Sequence, residues 1–115
     1  MRVCVIFLLV TLVSCSSAPA PESFCDVARA PDRFVGRPLI VSGMAKMSRH
    51  ATSLSDPACP ELLLGLEGPD SGFFNSLAGT LAPGAGPVRV TVTGHVIHNS
   101  GLPSYEFRVT AGAVQ

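Results

Sequence analysis

Residues 88–96 read Val-Arg-Val-Thr-Val-Thr-Gly-His-Val, the most regular stretch of this 115-residue chain. Every second residue is valine or glycine, and the residues between them are polar or charged. Side chains along a β-strand point alternately to its two faces, so this alternation predicts a strand with one buried and one solvated face. We expect strands of this kind to define the fold.

Further stretches show the same period of two. Together with residues 88–96, the predicted strands are 37–49, 51–55, 61–67 and 103–113. In residues 61–67, Leu63 and Gly65 face away from the other leucines. The residues expected to face inward are Leu39, Val41, Gly43, Ala45 and Met47 in the first strand, Leu62, Leu64 and Leu66 in the third, and Tyr105, Phe107, Val109 and Ala111 in the last.

Two segments have a helical spacing instead. Residues 24–30 form a short candidate helix that must end before Pro31. In residues 71–81, apolar residues recur every three to four positions, as one face of a helix requires, and Ser71 is the expected N-cap. The apolar residues of this second helix are Phe73, Phe74, Leu77 and Leu81.

Three strands, a helix and two strands are the element order of the OB-fold, a small five-stranded Greek-key barrel. The sequence therefore predicts an all-β domain with short helices, an OB-like barrel whose main helix lies between the third and fourth strands. Gly43 and Gly94 lie centrally in the first and fourth strands, where such a barrel must coil sharply to close. The pattern of Cys25, residues 36–43 and residues 56–60 also resembles small bacterial envelope proteins of OB-like type.

The N-terminal segment has the features of an export signal. Arg2 precedes an apolar run at residues 3–12, which is too short to span a bilayer, since spanning takes about 20 residues. The stretch Leu12-Val13-Ser14-Cys15 resembles the bacterial lipobox. This resemblance implies a removed signal peptide (1–14), a lipidated flexible tether (15–23) and a barrel domain (24–115). An alternative cut after residues 18–20 would discard Cys15, but it places Pro21 directly after the scissile bond.

Lipidation of Cys15 would make the lipid bilayer a partner, because acyl chains supply membrane affinity. The expected location is the cell envelope, facing the periplasm, and Ser16 favours the outer membrane by resemblance to enteric lipoproteins. Without Arg2 the chain keeps seven basic and eight acidic residues. A near-neutral domain lacks the field that gathers polyanions, so nucleic acid is not an expected partner. An envelope protein or a small ligand is expected instead.

Cys25 and Cys59 are the thiols left once the signal and Cys15 are set aside. A pair of cysteines in a small exported domain typically forms a disulfide, so we predict a bond between them. A redox pair or a metal site is the alternative, but the C-x-x-C spacing of such sites is missing.

Histidines and methionines suggest a second interpretation, a periplasmic copper- or zinc-binding protein. Strand parity argues against it, because residues 44 and 47, like residues 95 and 98, point to opposite faces. We therefore expect no metal and no cofactor. The candidate ligands of the alternative are Met44, Met47, His50, His95 and His98.

An enzyme is not expected, since the chain has no G-x-S-x-G, H-E-x-x-H or phosphate-loop motif. Glu61, Glu67 and Asp70 are interpreted as solvated edge charges, and a hydrolase would need a histidine beside a Ser or Asp in a cleft. The resulting prediction is a membrane-anchored envelope lipoprotein with a non-catalytic binding or structural role. By fold analogy, its working surface is the face of the second and third strands with the loops at 48–60 and 97–104.

Overall fold

Six strands and two helices make up the computed structural model, which describes residues 18–48, 51–81, 86–101 and 104–115. Within these ranges, no helix combines the length and apolar composition that a membrane span needs. The strands are β1 (Ala20–Glu22), β2 (Leu39–Met47), β3 (Thr52–Ser55), β4 (Leu64–Glu67), β5 (Val88–His98) and β6 (Tyr105–Val114). The helices are α1 (Phe24–Arg29) and α2 (Ser71–Thr80), with a 3-10 turn at Pro31–Arg33.

Five of the strands close into a barrel. They run in the order β2-β3-β4-β6-β5, and β5 pairs with β2 to complete the circle. All neighbours in the barrel are antiparallel except β4 and β6, which run parallel. With α2 between the third and fourth barrel strands, this is the OB-fold topology, and the predicted fold class is confirmed.

The alternating residues of the strands fill the barrel interior, and the two helices add one apolar face each. α1 contributes Phe24 and Val27, and α2 contributes Phe73 and Leu77. The predicted inward parity of β2, β4 and β5 is correct. The buried core consists of Phe24, Val27, Leu39, Val41, Ala45, Leu54, Cys59, Leu64, Leu66, Phe73, Leu77, Val90, Val92, Val96, Phe107 and Val109.

The two central glycines lie where neighbouring backbones approach closely. A Cβ added to Gly43 would lie 2.8 Å from the carbonyl oxygen of Ser55. At Gly94 it would overlap the carbonyl oxygen of Arg108. The barrel therefore closes through contacts that leave no space for a side chain at these positions.

A bulge in β6 corrects the predicted inward set of the last strand. Thr93 pairs with Ala111 and Gly94 with Val109, which leaves Thr110 as an extra residue on β6. One extra residue reverses the parity of the residues after it, so Ala111 is exposed, and its predicted inward position is wrong. Gly112 faces α2 instead, and a Cβ there would overlap the Phe73 ring.

Part of the predicted tether is ordered. Residues 20–22 form β1, which pairs parallel to β2 with Ala20 opposite Leu39. This short edge strand pairs with β2 through its backbone, so it needs no alternating apolar residues, and the sequence has none here. An edge strand also tolerates Pro21, which lacks an N–H group. The signal peptide and Cys15 lie outside the described residues.

The N-cap of α2 is Asp70 rather than the predicted Ser71. One carboxylate oxygen of Asp70 accepts a hydrogen bond from the backbone N–H of Phe73 at 3.1 Å. The other oxygen accepts from the backbone N–H of Gly112, also at 3.1 Å. Asp70 thus caps the helix and ties it to β6, and its interpretation as a solvated edge charge is wrong.

The predicted disulfide is present. Cys25 of α1 and Cys59 are bonded, with their Cα atoms 5.9 Å apart. Cys59 lies in the turn between β3 and β4, where its N–H donates to the carbonyl of Asp56 at 3.0 Å and its carbonyl accepts from Leu62 at 3.0 Å. The bond fastens this turn to the helix that covers one end of the barrel.

Candidate functional site

A groove of about 430 Å³ crosses the outside of the barrel over β3, β4 and β6. We call it the outer groove. Its walls are residues 51–53, Leu63, residues 65–67 and Glu106. It lies over β3 and β4, the second and third strands of the barrel, as the predicted working surface does, but the described residues of the predicted loop at 97–104 contribute none of its walls.

Strand register explains how the groove forms. Ser53, Gly65 and Glu106 are neighbours in one row across the three strands. Gly65 supplies no side chain, so a depression is left between the residues on either side. The Glu106 side chain lies beside this depression, with its Cγ 3.3 Å and its Oε1 3.4 Å from the position that a Cβ on Gly65 would occupy.

Leu63 forms the apolar side of the outer groove. Its side chain is 67% exposed, the largest exposure among the bulky apolar residues that the structure describes. The predicted strand 61–67 is shorter in the structure, where Leu63 directly precedes β4 and its neighbour Leu64 is buried. A large, exposed apolar side chain at the start of a strand is available for contact with another molecule.

The charged groups of the groove divide into one pair and one single carboxylate. Glu67 accepts a hydrogen bond from Arg108 across β4 and β6, at 3.3 Å. Within the described part of the chain, Glu106 forms no ion pair. The half-buried carboxylate of Glu106 therefore lies between Leu63 and the Glu67–Arg108 pair.

A second groove of about 460 Å³ adjoins the first and shares residues 51–52 and 66–67 with it. It continues past Gly68 to Phe74 on α2 and to Met47 at the end of β2. Gly68 has a φ of 137°, and a Cβ there would overlap the carbonyl oxygen of Val109. We call the two grooves together the docking face.

The residues proposed as metal ligands are not brought together. Met44 is paired with Arg89, whereas His95 lies six residues further along β5, roughly 20 Å away at 3.4 Å per residue. His98 packs edge-on against the ring of Tyr105, with ring centroids 5.0 Å apart. Met47 lines the second groove, and His50 lies outside the described residues. In the described ranges, no three His, Cys, Asp or Glu residues cluster as a metal site requires.

The hydrolase alternative needs a histidine beside a serine or an aspartate. Among the hydrogen bonds of the described residues, none joins His95 or His98 to such a partner. The absence of enzymatic activity stays a prediction.

The chain was compared with known proteins. No protein-family model matches it, and a search of curated proteins gives no significant match. Among solved structures, it is similar to a chain in the crystal structure of the S. pombe Stn1-ten1 complex, with a TM-score of 0.53. The two chains are 15% identical, and the likeness covers 86% of this chain and 79% of the other. At this identity the likeness shows a shared fold.

This likeness corrects two predictions from the sequence. The function of a cell-envelope lipoprotein is contradicted, because the OB-like fold that suggested an envelope protein is here the fold of a chain in the Stn1-ten1 complex. The exclusion of nucleic acid as a partner is also wrong. OB barrels are a common scaffold for single strands, and a near-zero net charge weakens long-range attraction without preventing base stacking at short range.

Lipidation of Cys15 stays a prediction, since this residue lies outside the described ranges. The measurement that checks it is the partition of the Cys15→Ala variant between membrane and soluble fractions. Release from the membrane is expected, and retention would contradict the lipobox interpretation.

Proposed function

We propose that this chain is an OB-fold interaction domain that binds a partner protein through the docking face. The observation that carries the proposal is Leu63, a leucine 67% exposed beside a groove of about 430 Å³. Burying a leucine side chain contributes about 1.5–3 kcal/mol, so covering Leu63 would add to the affinity of a complex. The buried centre of a protein interface is more apolar than its rim, so an exposed leucine suits such a position.

The charges of the docking face favour a protein over a nucleic acid. Glu67 and Glu106 are carboxylates, and Arg108, the arginine beside them among the described residues, is already paired with Glu67. A phosphate backbone would meet negative charge here, whereas single-strand sites combine a basic groove with stacking rings. Phe74 is an aromatic ring in the second groove, so single-stranded DNA is the alternative that the experiment must include.

The likeness to a chain in the Stn1-ten1 complex also supports the proposal, because that fold occurs there in an assembly of proteins. The likeness supports the proposal through the shared fold alone, since the two chains are 15% identical. The partner of this chain is therefore identified by experiment rather than by analogy.

Site-specific crosslinking tests the proposal. A photoreactive benzoylphenylalanine is placed at position 63 of the full chain, and at position 42, on the opposite outer face, as the matched control. A partner captured at 63 and absent at 42 is identified, purified and titrated against the wild-type chain by calorimetry. We expect Leu63→Ser to weaken this binding about tenfold, since an anchor residue contributes more than about 1 kcal/mol, and Ser42→Ala to leave it unchanged.

A second titration uses a fluorescent 12-nucleotide single-stranded DNA of mixed sequence. Tight binding of this DNA that is lost in Leu63→Ser would overturn the proposal in favour of nucleic acid. Equal capture at positions 63 and 42 would also overturn it, because the docking face would then be no more occupied than the control face.

A further inference from the structure

We propose that the outer groove receives a lysine or arginine side chain of the partner, an inference that rests on the proposed function. The aliphatic stem of that side chain lies on Leu63, and its cationic head pairs with the carboxylate of Glu106. The basis is the juxtaposition, in the walls of one groove, of an exposed leucine and the half-buried Glu106, which has no ion-pair partner among the described residues.

The position of Glu106 is fixed by the strands around it. It lies opposite Gly65 in the parallel pairing of β4 and β6, and its Oε1 is 3.4 Å from where a Gly65 Cβ would be. With no side chain on Gly65, the carboxylate is reachable from the groove. A partner group can therefore contact it without displacing part of the barrel.

Arg108 does not neutralise this carboxylate. It follows Glu106 by two residues on the same face of β6, but its guanidinium is bound to Glu67 at 3.3 Å. In the described residues, Glu106 has no cation within ion-pair distance. The unmatched charge of the outer groove is thus negative.

The two sides of the groove restrict what can fill it. A purely apolar side chain would cover Glu106 without giving it a partner, which costs free energy because a buried charge must be paired. An acidic side chain would meet a like charge. Lysine and arginine have a long aliphatic stem that packs on apolar surface and a cation at its end. They complement Leu63 and Glu106 at the same time.

Two peptides that differ by one group test the inference. The probes are acetyl-Ala-Ala-Arg-Ala-Ala-amide and the same peptide with citrulline, the neutral isostere of arginine, at its centre. Each is titrated into the ¹⁵N-labelled full chain while the backbone amide signals are followed. We expect the arginine peptide to shift the signals of Ser53, Gly65 and Glu106, and the citrulline peptide to bind about three- to fivefold more weakly, the range of a single partly exposed ion pair.

Variants separate the two contacts. Glu106→Gln should weaken the arginine peptide about three- to fivefold and abolish its preference over citrulline, because only the charge is removed. Leu63→Ser should weaken both peptides and keep the preference. Ser42→Ala is the matched control and should change neither. The amide spectrum of each variant shows that it is folded.

Equal affinity for the two peptides in the wild-type chain would overturn the inference. If the crosslinked partner still requires Leu63 in that case, the interaction function stands and only the basic side chain is wrong. If capture at position 63 also equals capture at position 42, the proposed function fails as well.

Discussion

Two outer faces of the same barrel use their outward side chains differently. On β2 and β5, the hydroxyls of Ser42 and Thr91 lie 3.0 Å apart across the strands, and the side-chain amide of Gln115 donates to Thr91. On the face of β3, β4 and β6, Leu63 at the start of β4 is exposed, and the carboxylate of Glu106 has no ion-pair partner within the described residues. The hydroxyls of the first face satisfy each other, whereas the second face presents a leucine and a carboxylate that another molecule can contact.

The difference shows that strand alternation by itself does not identify a binding face. Both faces follow from the same period of two, which separates buried from outward positions. The two faces are distinguished by the type of outward residue, hydroxyl groups on one face and a leucine beside a glycine on the other. A face that serves the fold should lose stability when it is changed, and a face that serves a partner should lose binding.

The largest expected effect is a difference in the free energy of unfolding between alanine variants of Gly94 and Gly65. Gly94→Ala should destabilise the fold by about 4 kcal/mol or more, because its Cβ overlaps the Arg108 carbonyl and backbone must move. Gly65→Ala should cost less than about 1 kcal/mol, since only the flexible Glu106 side chain is in its way. Urea unfolding of the two variants measures both values. Similar losses would show that the outer groove is as tightly packed as the contact between β5 and β6 at Gly94.

Loss of the disulfide should have the second-largest effect on stability. The Cys25→Ser, Cys59→Ser double variant should be about 3–4 kcal/mol less stable, because the bond closes a loop of 34 residues in the unfolded chain. Calorimetric melting of the variant and the oxidised wild type checks this. Cys59 is four residues before Leu63, so amide exchange should increase at the outer groove and stay unchanged at Ser42. Uniform loosening of both faces would contradict the local role of the bond.

Replacing Asp70, which follows β4 and caps α2, should have a smaller effect on stability than loss of the disulfide. Asp70→Ala removes the helix cap and the hydrogen bond to Gly112, and should cost about 2–3 kcal/mol. Asp70→Asn keeps one oxygen for the cap and should lose about 1 kcal/mol, the value of one hydrogen bond. Chemical denaturation distinguishes the two variants. No loss in Asp70→Asn would mean that the tie to β6 contributes nothing, and equal losses in the two variants would mean that the cap contributes nothing.

The sequence predicted most of the fold because its dominant signal is local. Alternation located the five barrel strands, and the spacing of Phe73 and Leu77 located α2. The bulge at Thr110 was missed, because it depends on how β5 and β6 pair and leaves no mark on the alternation of either strand. β1 was missed because backbone pairing holds it without an apolar pattern.

The candidate site was predicted in part. The exposure of Leu63 was predicted from the alternation of residues 61–67, which placed it opposite to Leu62 and Leu64, although the strand itself begins only at Leu64. The carboxylate beside it could not be found in this way. Glu106 is 41 residues from Gly65 in sequence, and only the parallel pairing of β4 with β6 places the two side by side.

The smallest expected effects compare the two faces directly. Leu63→Ser should change the free energy of unfolding by less than about 0.5 kcal/mol, because an exposed side chain has little packing to lose. Ser42→Ala should cost about 0.5 kcal/mol, since it removes a hydrogen bond to the Thr91 hydroxyl between β2 and β5. Urea unfolding of both variants, paired with peptide titrations, gives stability and binding for each face. A marked stability loss in Leu63→Ser would mean that this leucine serves the barrel rather than a partner, and the contrast between the two faces would disappear.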